Sequence, residues 1–168
     1  MTLDDLPAVA RWLREPHVAR WWTPETTPEA EIDEFRARVD APDGATRMCS
    51  VDLGGRPIGW CQWYRWADDP DDAGAIGALA SEIGADYAIG EPAQIGRGVG
   101  TAMIAALVAH VRTHHPGAGL LVAPEAANGP SRRVLEKNGF SLVEVRPIDT
   151  EPHTRPMAVY RLPPAGGC

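Results

Sequence analysis

No run of about 18 apolar residues occurs in this chain, which excludes a membrane-spanning helix. Cysteine is scarce. Cys49, Cys61 and Cys168 form neither an even disulfide framework nor a metal-type pair, and read as reduced thiols of a cytoplasmic protein. Positive charge is in deficit too: 16 Lys and Arg against 23 Asp and Glu leave a net charge of −7. That argues against nucleic acid as a partner, because binding a polyanion relies on Lys and Arg neutralising phosphates. Asp4 and Asp5 precede any apolar stretch, the wrong pattern for a secretion signal.

What is present fits one ordinary domain. A length of 168 residues, 44% hydrophobic and 23% charged, is enough for a single sizeable core over residues 1–168, with Pro163 to Cys168 as a frayed tail. The run Asp68-Asp69-Pro70-Asp71-Asp72 concentrates negative charge. It reads either as a solvated face that maintains solubility or as an attraction for a cationic substrate.

Periodicity places the elements. Leu6, Val9, Ala10 and Leu13 recur at helical spacing behind Thr2 or Asp4 as cap, and Glu15-Pro16-His17 interrupts that helix as a loop. Thr27-Pro28-Glu29 opens a second helix with Ile32, Phe35 and Val39 on its apolar stripe. Residues 46–53 and 56–64 flank Gly54-Gly55, a hairpin signal. Residues 67–82 read as a loop, followed by a strand from Ala85 to Ile89. A helix carries Ile104, Leu107, Val108 and Val111, and Gly119 to Ala123 reads as a buried strand. Asn128 to Asn138 forms a helix capped by Gly139, and Phe140–Arg146 and Met157–Leu162 are the last strands. The order predicts an α+β fold with a central mixed sheet flanked by helices.

Between strand and helix lies Gln94-Ile95-Gly96-Arg97-Gly98-Val99-Gly100-Thr101. Alternate glycines let several N–H groups converge, and the helix N-terminus adds about half a positive charge, so a phosphate or pyrophosphate is the natural guest. Arg97 can add a charge-assisted contact. A Walker loop would end in Gly-Lys-Ser/Thr, and a dinucleotide fingerprint would read G-x-G-x-x-G; neither spacing is present. Glycines that simply turn the chain are the bland alternative.

This loop, together with Asn128-Gly-Pro-Ser131-Arg-Arg-Val-Leu135-Glu-Lys-Asn-Gly139-Phe140, resembles the GCN5-related N-acetyltransferase (GNAT) superfamily. Within it, His17-x-x-x-Trp21-Trp22, Gly59-Trp-Cys-Gln62-Trp-Tyr64 and Gly84-Ala-Asp86 are similar to the aminoglycoside 6′-N-acetyltransferases. The resemblance implies a fold that holds acyl-CoA in the gap between two splayed strands. It implies that Tyr87, Ala88 and Ile89 offer backbone groups to the pantetheine arm and the thioester carbonyl, a kind of contact worth about 3 kcal/mol elsewhere. Gln94 to Thr101 would wrap the pyrophosphate, Asn128 would touch the pantetheine, and Ser131 and Arg132 would lie near the nucleotide. Acetyl-CoA is then the co-substrate, with no metal.

Asp86 matches the family carboxylate beside the acceptor amine, where it can orient the amine and take its proton. Its bland reading is a turn cap after Gly84. Trp22 and Tyr64 are candidate substrate contacts, since sugar faces and protonated amines favour aromatic surfaces; so are Gln62, which can exchange hydrogen bonds with substrate hydroxyls, and Glu125, an acidic residue close after Pro124. Core packing is the alternative for the aromatics, and alternation suits Trp60 and Trp66 for it; for Gln62 the alternative is a solvent-facing strand residue. His17 is a substrate contact or a helix-end packing residue; His114 and His115 suit a helix C-terminus.

Two positions leave the family pattern. Leu135 stands where a tyrosine commonly protonates the leaving thiolate, leaving that to water or another group, and Ala123 stands where an acidic residue often precedes proline. Relatives also place a strand before the region where this chain begins. The expectation is acetyl transfer to a primary amine of a polycationic aminoglycoside, the 6′-amine, by direct attack in a ternary complex. The chain would act as a monomer or homodimer in the cytoplasm and confer antibiotic resistance. The alternatives are an N-acyltransferase of siderophore or other small-amine metabolism, and a non-catalytic acyl-CoA sensor.

Overall fold

The computed structural model describes residues 1–22, 28–41, 44–150 and 153–166. Its strands form a six-stranded mixed sheet in the order β1-β2-β3-β4-β6-β5, with helices preceding and following the strands along the chain. This is the α+β architecture expected. Met1–Trp63 with Asp86–Val99 form one compact unit, and Tyr64–Ala85 with Gly100–Cys168 form a second.

In the first unit, Thr2 and Asp5 close a short 3-10 turn, the Asp5 carboxylate accepting from the Thr2 N–H at 2.8 Å. Helix α1 (Leu6–Trp12) then buries Leu6, Val9 and Trp12 on one face, the i, i+3, i+6 stripe of a short amphipathic helix. Glu15-Pro16-His17 is not a loop: Pro16–Ala19 make a one-turn helix, α2, with proline at its first position where no N–H is needed. Helix α3 spans Pro28–Asp40; the Thr27 cap read from the sequence lies outside the described residues.

Strands β1 (Thr46–Leu53) and β2 (Arg56–Arg65) meet at Gly54 and Gly55, whose φ values of 61° and 75° suit a tight hairpin turn. The core of this unit is aromatic. Trp60 is fully buried, stacked on Trp12 at 6.1 Å and met edge-on by Trp22 at 5.3 Å and Phe35 at 6.1 Å. Aromatic burial of this kind is worth about 1.5–3 kcal/mol for each large ring. The Trp60 indole N–H has no acceptor among the described residues, a cost the packing must exceed.

In the second unit the expected loop at 67–82 holds a helix, α4 (Pro70–Ile76). Asp69 caps it by accepting from the Asp72 N–H at 3.2 Å, Pro70 fills the first position, and Gly77 at φ 75° ends it. The cap-then-proline signal outweighs the helix-breaking look of Asp, Gly and Ala around it. Strand β3 (Glu82–Ile89) starts earlier than expected, because the Glu82 carboxylate is buried and satisfied by Arg161 at 2.6 Å and the Leu79 N–H at 2.8 Å.

Helix α5 (Val99–His114) buries Met103, Ile104, Leu107, Val108 and Val111. Strand β4 (Gly119–Val122) pairs parallel to β3 through Glu82↔Gly119 and Ile83↔Leu120, and Gly84 to Ile89 run on past these pairs. Helix α6 (Gly129–Lys137) is capped by Asn128, whose side-chain oxygen accepts from the Ser131 N–H at 3.2 Å. Strands β5 (Ser141–Thr150) and β6 (His153–Leu162) form a long hairpin with a bulge between Leu142 and Glu144. Trp66, Ala73, Leu121, Ile148 and Val159 are the buried centre of this unit.

Candidate active site

The glycine-rich loop is anchored before it begins. The N–H groups of Gly90 and Glu91 both donate to the Ile58 carbonyl, at 2.8 and 3.0 Å. A Cβ on Gly90 would lie 2.1 Å from the Trp12 ring, so only glycine lets the chain pass there. The Glu91 carboxylate accepts from Arg11 at 2.6 Å and from the Trp12 indole at 2.9 Å, and the Arg11 bond foremost holds its pKa below the ordinary carboxylate value. A ring nitrogen of His17 lies 3.0 Å from the Ile89 carbonyl, to which it donates. His17 thus packs against the end of β3.

After a 3-10 turn at Pro92–Gln94, Gly96 and Gly98 take φ values of 74° and 81°, and the space a Cβ would fill at each is open. Arg97, between them, is exposed. Helix α5 starts at Val99, and the first-turn N–H groups of a helix have no acceptor within it. The result is an exposed, positively polarised backbone cradle, which fits the pyrophosphate of coenzyme A. Downstream, the Asn138 amide donates to the Thr101 carbonyl at 3.2 Å and to Val134 at 2.8 Å, tying the first turn of α5 to α6.

On β3, Tyr87, Ala88 and Ile89 are half-buried. A Cβ on Gly59 would fall 2.3 Å from the Ala88 carbonyl, so glycine permits this close backbone approach. Asp86 is half-buried and accepts from the Gln62 side-chain nitrogen at 2.8 Å. Gln62 is 6% exposed, and its oxygen accepts from Arg38 at 3.2 Å. Arg38 in turn bonds Glu34 at 3.0 Å. Asp86 and Gln62 are therefore joined, and Arg38 completes a relay that sequence reasoning missed. Nothing local marks Arg38: it reaches Gln62 across 24 positions of chain.

The other sequence candidates have defined surroundings. Trp22 packs its ring on Phe35 and Trp60 and donates its indole N–H to Glu31 at 3.1 Å, so most of it belongs to the aromatic core. Tyr64 lies edge-on to Trp66 at 5.1 Å, over Gly84, where a Cβ would sit 2.2 Å from its ring. Glu125 is ion-paired with Arg155. Asn128 and Ser131 share the cap of α6. The Arg132 guanidinium bonds the Tyr160 hydroxyl and the Ala126 carbonyl, each at 3.0 Å. The Tyr160 hydroxyl donates to Glu136 at 2.6 Å, and burial first of all raises its pKa. Leu135 is fully buried and offers no proton. Trp60 and Trp66 are core, as alternation suggested, and Trp63 is buried as well. No group of three or more potential metal ligands occurs among the described residues.

A mixed sheet flanked by helices, with a glycine cradle opening a helix, suits an enzyme that takes acyl groups from coenzyme A. The profile described as "Acetyltransferase (GNAT) domain" matches residues 2–148, and the chain belongs to that family of acetyltransferases. It is 27% identical over 150 residues to aminoglycoside N(6′)-acetyltransferase type 1 of Klebsiella pneumoniae and equally to that of Serratia marcescens, covering 83% of this chain and 71% of each relative. The fold is similar to the crystal structure of aminoglycoside acetyltransferase AAC(6′)-Ib with coenzyme A and kanamycin (TM-score 0.75, 24% identity, 98% of this chain and 92% of that one). It is similar also to an aminoglycoside N(6′)-acetyltransferase of Legionella pneumophila (TM-score 0.76, 16% identity, 97% and 88%). Acetyl-CoA is the co-substrate this family takes. No helix among the described residues is long and apolar enough to cross a membrane.

Proposed function

We propose that the chain transfers acetyl from acetyl-CoA to a primary amine of an aminoglycoside, the 6′-amine, by direct attack in a ternary complex in the cytoplasm, and so confers resistance. The observation that carries this reading is the Asp86 carboxylate, held at 2.8 Å by the buried Gln62 amide on the strand that leads to the loop. An acceptor amine is protonated at neutral pH and must lose that proton before its nitrogen can attack. A fixed carboxylate within hydrogen-bond reach orients the amine and takes the proton, typically contributing about 10²–10⁴-fold. Acetyl-CoA supplies a thioester-activated acetyl group. Residues Gln94 to Thr101 hold its pyrophosphate, backbone groups of Tyr87, Ala88 and Ile89 meet the arm and the carbonyl, and Asn128, Ser131 and Arg132 border the rest. Because Leu135 carries no proton, the leaving thiolate takes its proton from water. The resemblance to enzymes named for aminoglycosides supports the acceptor.

A second reading keeps the donor and exchanges the acceptor for a less cationic small amine, as in siderophore assembly. It is favoured by the arginines near two acceptor-side carboxylates, Arg38 one amide away from Asp86 and Arg155 at Glu125, which offset negative charge that a polycation would seek. Thiol release from acetyl-CoA, measured over kanamycin, tobramycin and a wider aminoglycoside panel, decides between them. Turnover with none of the panel sinks the first reading. A protein that binds acetyl-CoA but acetylates no amine at all is the non-catalytic sensor.

A further inference from the structure

Gln62 has a two-ended side chain, and the ends are chemically opposite. Its oxygen only accepts and its NH2 only donates. Asp86, when ionised, only accepts, so it must face the NH2. Arg38 has only donors, so it must face the oxygen. The observed pairs obey both demands, Arg38 to Oε1 at 3.2 Å and Nε2 to Asp86 at 2.8 Å. With Gln62 6% exposed, solvent is a poor substitute at either end. Arg38 is in turn held by Glu34 at 3.0 Å on the same helix, and its guanidinium lies 5.7 Å from the Phe35 ring, so its reach is set by α3.

We propose that Arg38 is a positioning residue: it locks the Gln62 amide in the one orientation that presents NH2 to Asp86, and thereby fixes the aim of that carboxylate. The proposal rests on the catalytic reading of Asp86 for its effect on rate, though not for its effect on the amide. Without Arg38, the oxygen of the buried Gln62 side chain loses its donor and the amide is free to turn. Turning brings an oxygen against the carboxylate, which moves Asp86 off its line. Arg38 lies on α3 and bonds Glu34 and Gln62, so acetyl-CoA affinity is expected to stay unchanged in its variants.

The side-chain amide of Gln62, observed in the ¹H–¹⁵N spectrum of the whole chain and assigned by its loss in Gln62→Met, tests this without any acceptor. In the wild type the two amide protons are expected to be widely split and slow to exchange. In Arg38→Met the pair collapses toward the position of a free glutamine and exchanges at least about tenfold faster, while Arg38→Lys retains part of the splitting. An amide signal unaltered in Arg38→Met, or one already at the free position in the wild type, overturns the proposal. With an amine that is turned over, Arg38→Met lowers kcat about tenfold at unchanged KM for acetyl-CoA. The loss does not add to that of Gln62→Met, because both variants break one relay. Additive losses overturn it as well. Asp86→Asn separates the two levels: full turnover in that variant removes the reading of Asp86, while the amide spectrum still judges Arg38.

Discussion

On the proposed reading, the donor loop and the acceptor relay recognise their partners by different means. In that proposal the working groups from Gly96 to Val99 are backbone N–H donors, on glycines at φ 74° and 81° and at the start of α5. From Arg38 through Gln62 to Asp86 the working groups are side chains contributed by one helix and two strands. A backbone site needs glycines at fixed spacing, so it can be read along the chain. A side-chain relay needs residues that are far apart in sequence, so it tolerates change and shows itself only after folding. That is why coenzyme A follows from one segment while the acceptor does not.

Breaking the relay at its end should have the largest effect. Asp86→Asn is expected to lower turnover by about 100-fold or more, with the dissociation constant for acetyl-CoA within about twofold of wild type by calorimetry. Parallel losses in rate and in acetyl-CoA binding would mean that the two regions are not separable. Gly98→Val tests the other side, because its φ of 81° is one that a β-branched residue takes only with strain. Acetyl-CoA affinity should fall about tenfold, with kcat at saturating donor less affected.

Gly90→Ala probes the anchor shared by loop and core, where a new Cβ would meet the Trp12 ring at 2.1 Å. Denaturant unfolding should show a loss of about 1–3 kcal/mol. Gly74→Ala, where nothing lies within 4 Å of the added carbon, should instead be neutral or mildly stabilising.

The smallest effect concerns a thiol outside both regions. Cys49, on β1, has its pKa lowered to about 7, chiefly by the hydrogen bond from Cys61, with burial opposing and the N-terminal ammonium assisting. The Cys61 thiol is correspondingly raised. A lowered pKa means more thiolate at neutral pH, so alkylation of Cys49 by iodoacetamide, read by peptide mass spectrometry, should be half-maximal near pH 7. Cys61→Ala should move that midpoint upward, and an unmoved midpoint would remove Cys61 as the cause.

Local patterns carried much of the fold. The α5 stripe, the Gly54-Gly55 hairpin and the Gly139 terminus were each legible because the decisive residues lie within a few positions of one another. Helix α4 hides behind its charge: within the acidic run, Asp69 is a cap and Pro70 a first-position proline. The expectation of a solvent-facing Gln62 follows from period-two alternation, which assumes one wet face. In β2 every residue from Ile58 to Trp63 is buried, and alternation then says nothing about orientation. Arg38 and Glu91 act over long separations, and no spacing rule announces them.

The aromatic cluster has a consequence for optical measurement. Trp12 and Trp60 are nearly parallel, at an interplanar angle of 7°, and Trp22 crosses Trp60 at 70°. Indoles this close couple their electronic transitions, so the first unit should show an exciton couplet in circular dichroism that vanishes in Trp60→Phe. The indole of Trp12 is also bonded to Glu91, just ahead of the glycine loop. Emission from Trp12 should therefore respond to changes in the segment that leads into the glycine loop, through one hydrogen bond.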